Sequence, residues 1–258
     1  MTAATGYYRP GSSWLHRRHP HTKLLGLAFV LIAAFLLPPI VLPALFAIVV
    51  AIALTAGIAR PLVRALRIPA LLLLSIVLVN ALFFPGAVDR LLSVGPLSVT
   101  REGLAFGLLS AGRLLVVFVA SVTFLFTTLA DDLLEALVAR GASHRFAFVV
   151  LAAVQVVPRL QARTGAILDA QQARGLAISG SIRQRVRALV PLIGPVILGS
   201  LIDVRERTFA LEARGFGARK GRTAYRVVAN PSIDRFLRLG LVVGIVAVIV
   251  IALTGAVR

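Results

Sequence analysis

Four groups of residues in this 258-residue chain could do chemistry. The first is Asp131-Asp132-Leu133-Leu134-Glu135. Carboxylates at i, i+1 and i+4 can share one helix face and would suit a hard cation holding a diphosphate. The second is His16, His19 and His21, close enough in sequence to bind a divalent metal. No Asp, Glu or Cys joins them, so a solvated juxtamembrane segment is the simpler expectation. The third is Gly215-Phe216-Gly217-Ala218-Arg219-Lys220-Gly221, which has the glycines of a phosphate loop but neither a preceding strand nor the Lys-Ser/Thr ending. With Pro231 downstream it reads as the turn that leads out of a helix. The fourth is the tripeptide Ala-Arg-Gly, present as Ala139-Arg140-Gly141, Ala173-Arg174-Gly175 and Ala213-Arg214-Gly215.

For the carboxylates, a helix start competes with a metal site. Acids in a first turn complement the helix dipole, and Thr127 or Thr128 is available as a cap. An enzyme acting on a diphosphate would need a second acidic box, and Asp169, Asp203, Glu206 and Asp234 do not form one. No Ser/His/Asp arrangement stands out, and His144 is alone. No catalytic, cofactor-binding or metal-ligating residue is therefore assigned. Ala-Arg-Gly has a structural reading too: Arg in a last turn, then Gly as the left-handed cap. The two readings are compatible. Such an end presents Arg at a fixed place, where its planar fork can make bidentate bonds to a carboxylate in a partner's groove.

The elements that must position these residues are membrane spans. The chain is 59% hydrophobic, with a mean hydropathy of +0.93, and apolar runs of near 20 residues recur. The spacing predicts spans over Leu24–Leu37, Ile40–Ile58, Ile68–Phe84, Leu104–Leu129 and Phe236–Val257. Met1 to Lys23 is polar and basic, so no cleaved leader is expected. A net charge of +18 could suggest nucleic acid, but cytoplasmic loops of membrane proteins collect Lys and Arg, so the expected surface partner is the bilayer and no nucleic acid. With Cys absent, there is no disulfide framework or thiolate site.

Loop charge sets the orientation. The N-terminus and the Arg60, Arg64, Arg67 loop are expected inside; the Pro38-Pro39 turn and the neutral Pro85–Gly103 loop outside. The fourth span then returns at Asp131 and the last leaves, placing Arg258 outside. Between them, Phe146–Val157 is too short to cross, and Ala188–Ile202 is broken by Pro191, Gly194, Pro195 and Gly199. Both are expected as helices at the inner interface with basic ends toward the cytoplasm. Within the spans, Asn80 and Arg113 are the conspicuous polar residues. A membrane Arg must be paired or snorkelled, with Glu102, Asp89, Asn80 or helix carbonyls as partners, and a structural locking role is expected of both.

This order of features resembles the transmembrane T component of energy-coupling factor (ECF) transporters, the EcfT/CbiQ family. His19-Pro20-His21-Thr22-Lys23-Leu24-Leu25 is similar to the family's opening D-P-R-T-K-L. Thr127-Thr128 through Asp132-Leu133-Leu134-Glu135-Ala136-Leu137 is similar to T-T-x-x-D-L-L-E-A-L. Pro158, Gln171-Gln172-Ala173-Arg174-Gly175, Arg187-Ala188-Leu189-Val190-Pro191-Leu192 and Leu211-Glu212-Ala213-Arg214-Gly215-Phe216 follow in the family's order. His19 and His21 depart from its Asp and Arg, and Ala139-Arg140-Gly141 is an extra copy, read as a helix end.

The resemblance implies a non-enzymatic coupling subunit of an ABC importer. Two ABC ATPase subunits would bind ATP and magnesium below the membrane, and Arg174 and Arg214, each within its Ala-Arg-Gly box, would enter one ATPase apiece. A separate membrane S component would capture a vitamin or transition-metal ion. The expected fold is an all-α polytopic membrane protein with about five transmembrane helices and long cytoplasmic-side amphipathic coupling helices. Its domains would be 1–130 (four spans), 131–235 (coupling helices) and 236–258 (the last span), in a bacterial or archaeal inner or plasma membrane with the N-terminus cytoplasmic. Two alternatives from other classes are a membrane enzyme using the acidic box and a conventional ABC permease that binds substrate itself.

Overall fold

The computed structural model describes residues 8–85, 90–94, 97–176, 182–216 and 231–255; of 90–94, 97–98 and 182–189 it describes the backbone only. Asp89, the glycine-rich Gly217–Gly221 stretch and Arg258 lie outside the described residues. The chain divides into two compact units, Met1–Ala136 with Val228–Arg258, and Leu137–Val227.

In the first unit, α1 (Pro20–Leu36) starts where Pro20 can occupy a first-turn position, and the His19 side chain accepts the His21 N–H at 3.2 Å. It stops before Pro38, which disfavours helical geometry at Leu37. A 3-10 turn, Pro39–Val41, leads into α2 (Leu42–Thr55). α3 spans Ala59–Phe83 and α4 Arg101–Thr127. Between them, β1 (Arg90–Val94) pairs antiparallel with β2 (Leu97–Thr100), where the sequence predicted a plain loop. α5 (Ala130–Val138) follows α4, and α8 is Ser232–Leu253. Arg60, Arg64 and Arg67, expected in a loop, form exposed first turns of α3, and at that spacing they share one face.

The core of this unit is a seam of small and branched residues. Ala33 and Ala34 of α1, Val49 and Ala53 of α2, and Val116, Val119 and Ala120 of α4 are all buried. In lipid, apolar burial alone does not drive helices together, so small residues that let backbones approach do more of the work. Gly103 and Gly107 show this. A Cβ on Gly103 would strike the Asn80 carbonyl oxygen, and one on Gly107 would lie 3.0 Å from the Val77 Cα. They let α4 lie directly on α3.

In the second unit, α6 runs from His144 to Ala173 and α7 from Ile182 to Ala213. Both are continuous through internal prolines, Pro158 in α6 and Pro191 and Pro195 in α7. The break expected over Ala188–Ile202 is therefore absent. A proline removes one hydrogen bond and crowds the carbonyl four residues back, which costs a long helix stability without having to end it. The rings of Phe148 and Phe216 sit 4.7 Å apart. Arg163 reaches Asp203 and the Gly199 carbonyl. These pairings make α6 and α7 antiparallel.

Among the described residues, four helices are long and apolar enough to cross a membrane: α3, α4, α6 and α8. α1 and α2, with 17 and 14 residues, reach about 26 and 21 Å at 1.5 Å per residue, short of a hydrocarbon core about 30 Å thick. α6, read as an interface helix from the sequence, meets the length and composition of a span because the helix continues unbroken through Pro158.

Candidate functional site

The two predicted arginines sit on matching pieces of backbone. At the end of α6, the Gly175 N–H donates to the Gln172 carbonyl at 2.9 Å and the Leu176 N–H to that of Gln171 at 3.0 Å. At the end of α7, Gly215 donates to Glu212 at 2.9 Å and Phe216 to Leu211 at 2.9 Å. Crossed bonds of this kind are a Schellman cap, which satisfies carbonyls the helix would otherwise leave open. The cap needs a left-handed residue, and Gly175 and Gly215 have φ of 93° and 72°. Arg174 and Arg214 occupy the last position before that reversal, and both are exposed. Ala139-Arg140-Gly141 closes α5 the same way, with φ 101° at Gly141 and the Ala142 N–H on the Leu137 carbonyl at 3.2 Å. The cap itself thus does not distinguish the arms. Helix length does: α5 has 9 residues, α6 has 30 and α7 has 32.

Between the arm ends lies a contact that the sequence reading did not find. One guanidinium nitrogen of Arg163, Nη1, donates to Asp203 Oδ2 at 2.5 Å and to the Gly199 carbonyl at 3.1 Å. Gly199 is tight here, since a Cβ would come within 2.6 Å of Arg163 Cζ. In the sequence, Asp203 stands out only as one of the few acids among many arginines.

The N-terminal histidines are not in a solvated segment. His19 and His21 are buried at 7% and 6% exposure, with rings stacked 5.2 Å apart. The His19 N–H donates to Asp234 at 3.1 Å, and Arg18 reaches the same carboxylate at 3.8 Å. His21 Nε2 bonds the Ala136 carbonyl at 3.0 Å, and Lys23 Nζ donates to the Thr127 carbonyl at 2.6 Å. The opening segment therefore ties together the feet of α1, α4, α5 and α8. Lys23, below the apolar run of α1, is pushed down to about 8 by burial, against the opposing pull of Asp132 and Asp234. Burial also lowers His16. Asp234 is completely buried. In the sequence it is one acid at the foot of the last span, 215 positions from His19, and nothing local marks it.

The two aspartates of the carboxylate box differ in environment. Asp131 is exposed, while Asp132 has a buried oxygen and acts on Lys23, as neighbours on a helix that point different ways must. Neither predicted threonine caps α5. Thr127 donates back to the Thr123 carbonyl at 2.7 Å, and the buried Thr128 hydroxyl has no hydrogen-bond partner among the described residues. Asn80 bonds its own helix at the Ile76 carbonyl, 2.8 Å away. Arg113 lines a small hollow with Ala33, Ala34, Pro38 and Leu42, at the turn from α1 to α2.

The sequence profile of the CbiQ family, described as cobalt transport protein, matches residues 11–225. The chain is similar to the energy-coupling factor transporter transmembrane protein EcfT of Heliobacterium modesticaldum, with 33% identity over 86% of each chain. It is also similar to EcfT of Listeria innocua, with 30% identity over 92% of this chain and 94% of the relative. A putative ABC transporter ATP-binding protein of Bifidobacterium longum is 31% identical over 93% of this chain, a match covering 32% of that longer protein. This multi-pass membrane protein belongs to the CbiQ/EcfT family, the transmembrane components of ECF transporters.

Proposed function

We propose that the chain is the coupling subunit of an ECF-type importer, and that Arg174 and Arg214 are the points at which it engages two cytoplasmic ATPases. The observation that carries the reading is the duplicated end: two long helices stop in the same cap, each displaying one exposed arginine. An exposed guanidinium with no ion-pair partner among the described residues is free to bond a carboxylate of another protein. The Bifidobacterium longum relative, named as an ATP-binding protein, holds a matching segment within one longer polypeptide, which favours ATPases as the partners. ATP and magnesium are held by those subunits, and this chain is non-catalytic. A separate membrane S component selects a vitamin or transition-metal ion. The N-terminus and both arm ends face the cytoplasm, as loop arginines favour.

The test is co-purification in mild detergent. Truncating one partner of a desolvated charge pair costs about 2–5 kcal/mol, roughly 30-fold or more in affinity. Arg174→Ala with Arg214→Ala is expected to lose the ATPases while the spans stay folded, and Arg140→Ala to keep them. Full retention of ATPases and transport by the well-expressed double variant would sink the proposal.

A further inference from the structure

Among the described residues, the two arms meet at a polar contact whose distance from the end of each helix is the same. Arg163 lies 11 residues before Arg174 (174 − 163), and Asp203 lies 11 residues before Arg214 (214 − 203). Eleven residues of α-helix advance about 16 Å and turn about 20° past three full turns. Each exposed arginine therefore follows the face on which its own helix makes the contact. Because the helices are antiparallel, the two arginines lie on opposite sides of the contact, on the order of 30 Å apart along the axes.

We propose that Arg163, bridging Asp203 and the Gly199 carbonyl, is a positioning residue: a pin that sets the register of α7 on α6 and so the spacing of Arg174 and Arg214. This rests on the reading of those arginines as the ATPase contacts. Gly199 and Asp203 are one turn apart on α7, and a single nitrogen of Arg163 reaches both. A slip of one residue, about 1.5 Å and 100° of rotation, would remove both acceptors from reach. Gly199 is part of the device, because any Cβ there would displace the guanidinium. With side chains 37% and 48% exposed, the pair adds little stability. Its contribution is geometric. Two tethered contacts reinforce each other only when their spacing matches the sites they must span.

The chain has no cysteine, so introduced cysteines are unique labels. Gln172 and Glu212 hold equivalent, exposed positions at the two caps. Spin labels at Gln172→Cys and Glu212→Cys, in the full-length chain in nanodiscs, report the arm spacing by pulsed electron resonance. One narrow distance peak is expected. Arg163→Ala and Gly199→Ala should each broaden it at least twofold, and Arg163→Asp with Asp203→Arg should narrow it again. In the unlabelled complex, Arg163→Ala should reduce co-purified ATPase about tenfold with Arg174 and Arg214 intact. An unchanged narrow peak in both single variants, or a swap variant as broad as Arg163→Ala, overturns the pin. If the peak broadens as expected but the Arg174/Arg214 double alanine still holds its ATPases, the arm-end reading fails and the pin survives as a purely conformational device.

Discussion

Inside α6 and just past its end, the same substitution should have opposite effects at two glycines ten residues apart. Gly165 and Gly175 each have open space where a Cβ would go. Gly165 lies inside α6 with ordinary helical geometry, so Gly165→Ala removes backbone freedom from the unfolded chain and should stabilise by about 0.5–1 kcal/mol. Gly175 has φ of 93°, and a Cβ in the left-handed region costs about 1–2 kcal/mol. Since no neighbour is struck, that conformational term is the whole penalty, and fraying of the last turn caps it at the same 1–2 kcal/mol. A kcal/mol moves the midpoint of a chain this size by about 2–4 °C. Thermal unfolding in detergent should thus rise by a few degrees for Gly165→Ala. For Gly175→Ala, hydrogen exchange at the Leu176 amide should quicken, because its bond to the Gln171 carbonyl depends on the cap. The same fraying moves Arg174, so ATPase retention should drop although every arginine is present, and Gly175→Asn, which tolerates the left-handed region better, should keep more of it. A neutral or stabilising Gly175→Ala with unchanged exchange at Leu176 would refute the assignment of the cap.

Two further outcomes concern the polar knot at the foot of α1. Asp234→Ala should cost about 3–5 kcal/mol, since it leaves Arg18 and the His19 N–H without their buried acceptor. Asp234→Asn should cost less, and yield of monodisperse protein with thermal midpoint measures both; an Asp234→Ala variant as stable as the parent would show the knot to be incidental. The pH dependence follows from Lys23, whose folded value of about 8 lies below its unfolded value. Below pH 8 both states carry the proton and the full cost of a buried ammonium is present. As pH rises from about 8 toward the ordinary lysine range, only the unfolded chain still holds the proton, so stability rises with pH. The gain should vanish in Lys23→Met when midpoints are compared from pH 7 to 10.

The spans α3, α4 and α8 were legible because each holds an apolar run of the right length, and the arm ends because Arg followed by Gly is a local cap signal. Three things were not. The continuity of α7 was hidden by Pro191 and Pro195, which read as breaks when the helix is judged by local preference alone, and the length of α6 by the end of its apolar run at Val157. The β1–β2 hairpin is signalled only by a short alternation, Leu92-Ser93-Val94 and Leu97-Ser98-Val99, with the period of a strand. Asp234 and the Arg163–Asp203 pair are long-range facts. Their partners lie 215 and 40 positions away, and no periodicity connects them.

The extra Ala-Arg-Gly at Arg140 shows why a motif alone does not define this site. Its cap bonds and left-handed glycine match those at Arg174 and Arg214, so backbone chemistry would admit three contacts. The two ATPases proposed above would need two contacts at a fixed separation, which a single short helix cannot supply. An antiparallel pair held at one point, with equal lengths beyond it, supplies that separation directly. On that proposal, the recognition element is the distance between two ordinary helix ends. In the proposed pin, a short ion pair over one glycine, Arg163 to Asp203 at Gly199, gives that distance a definite value.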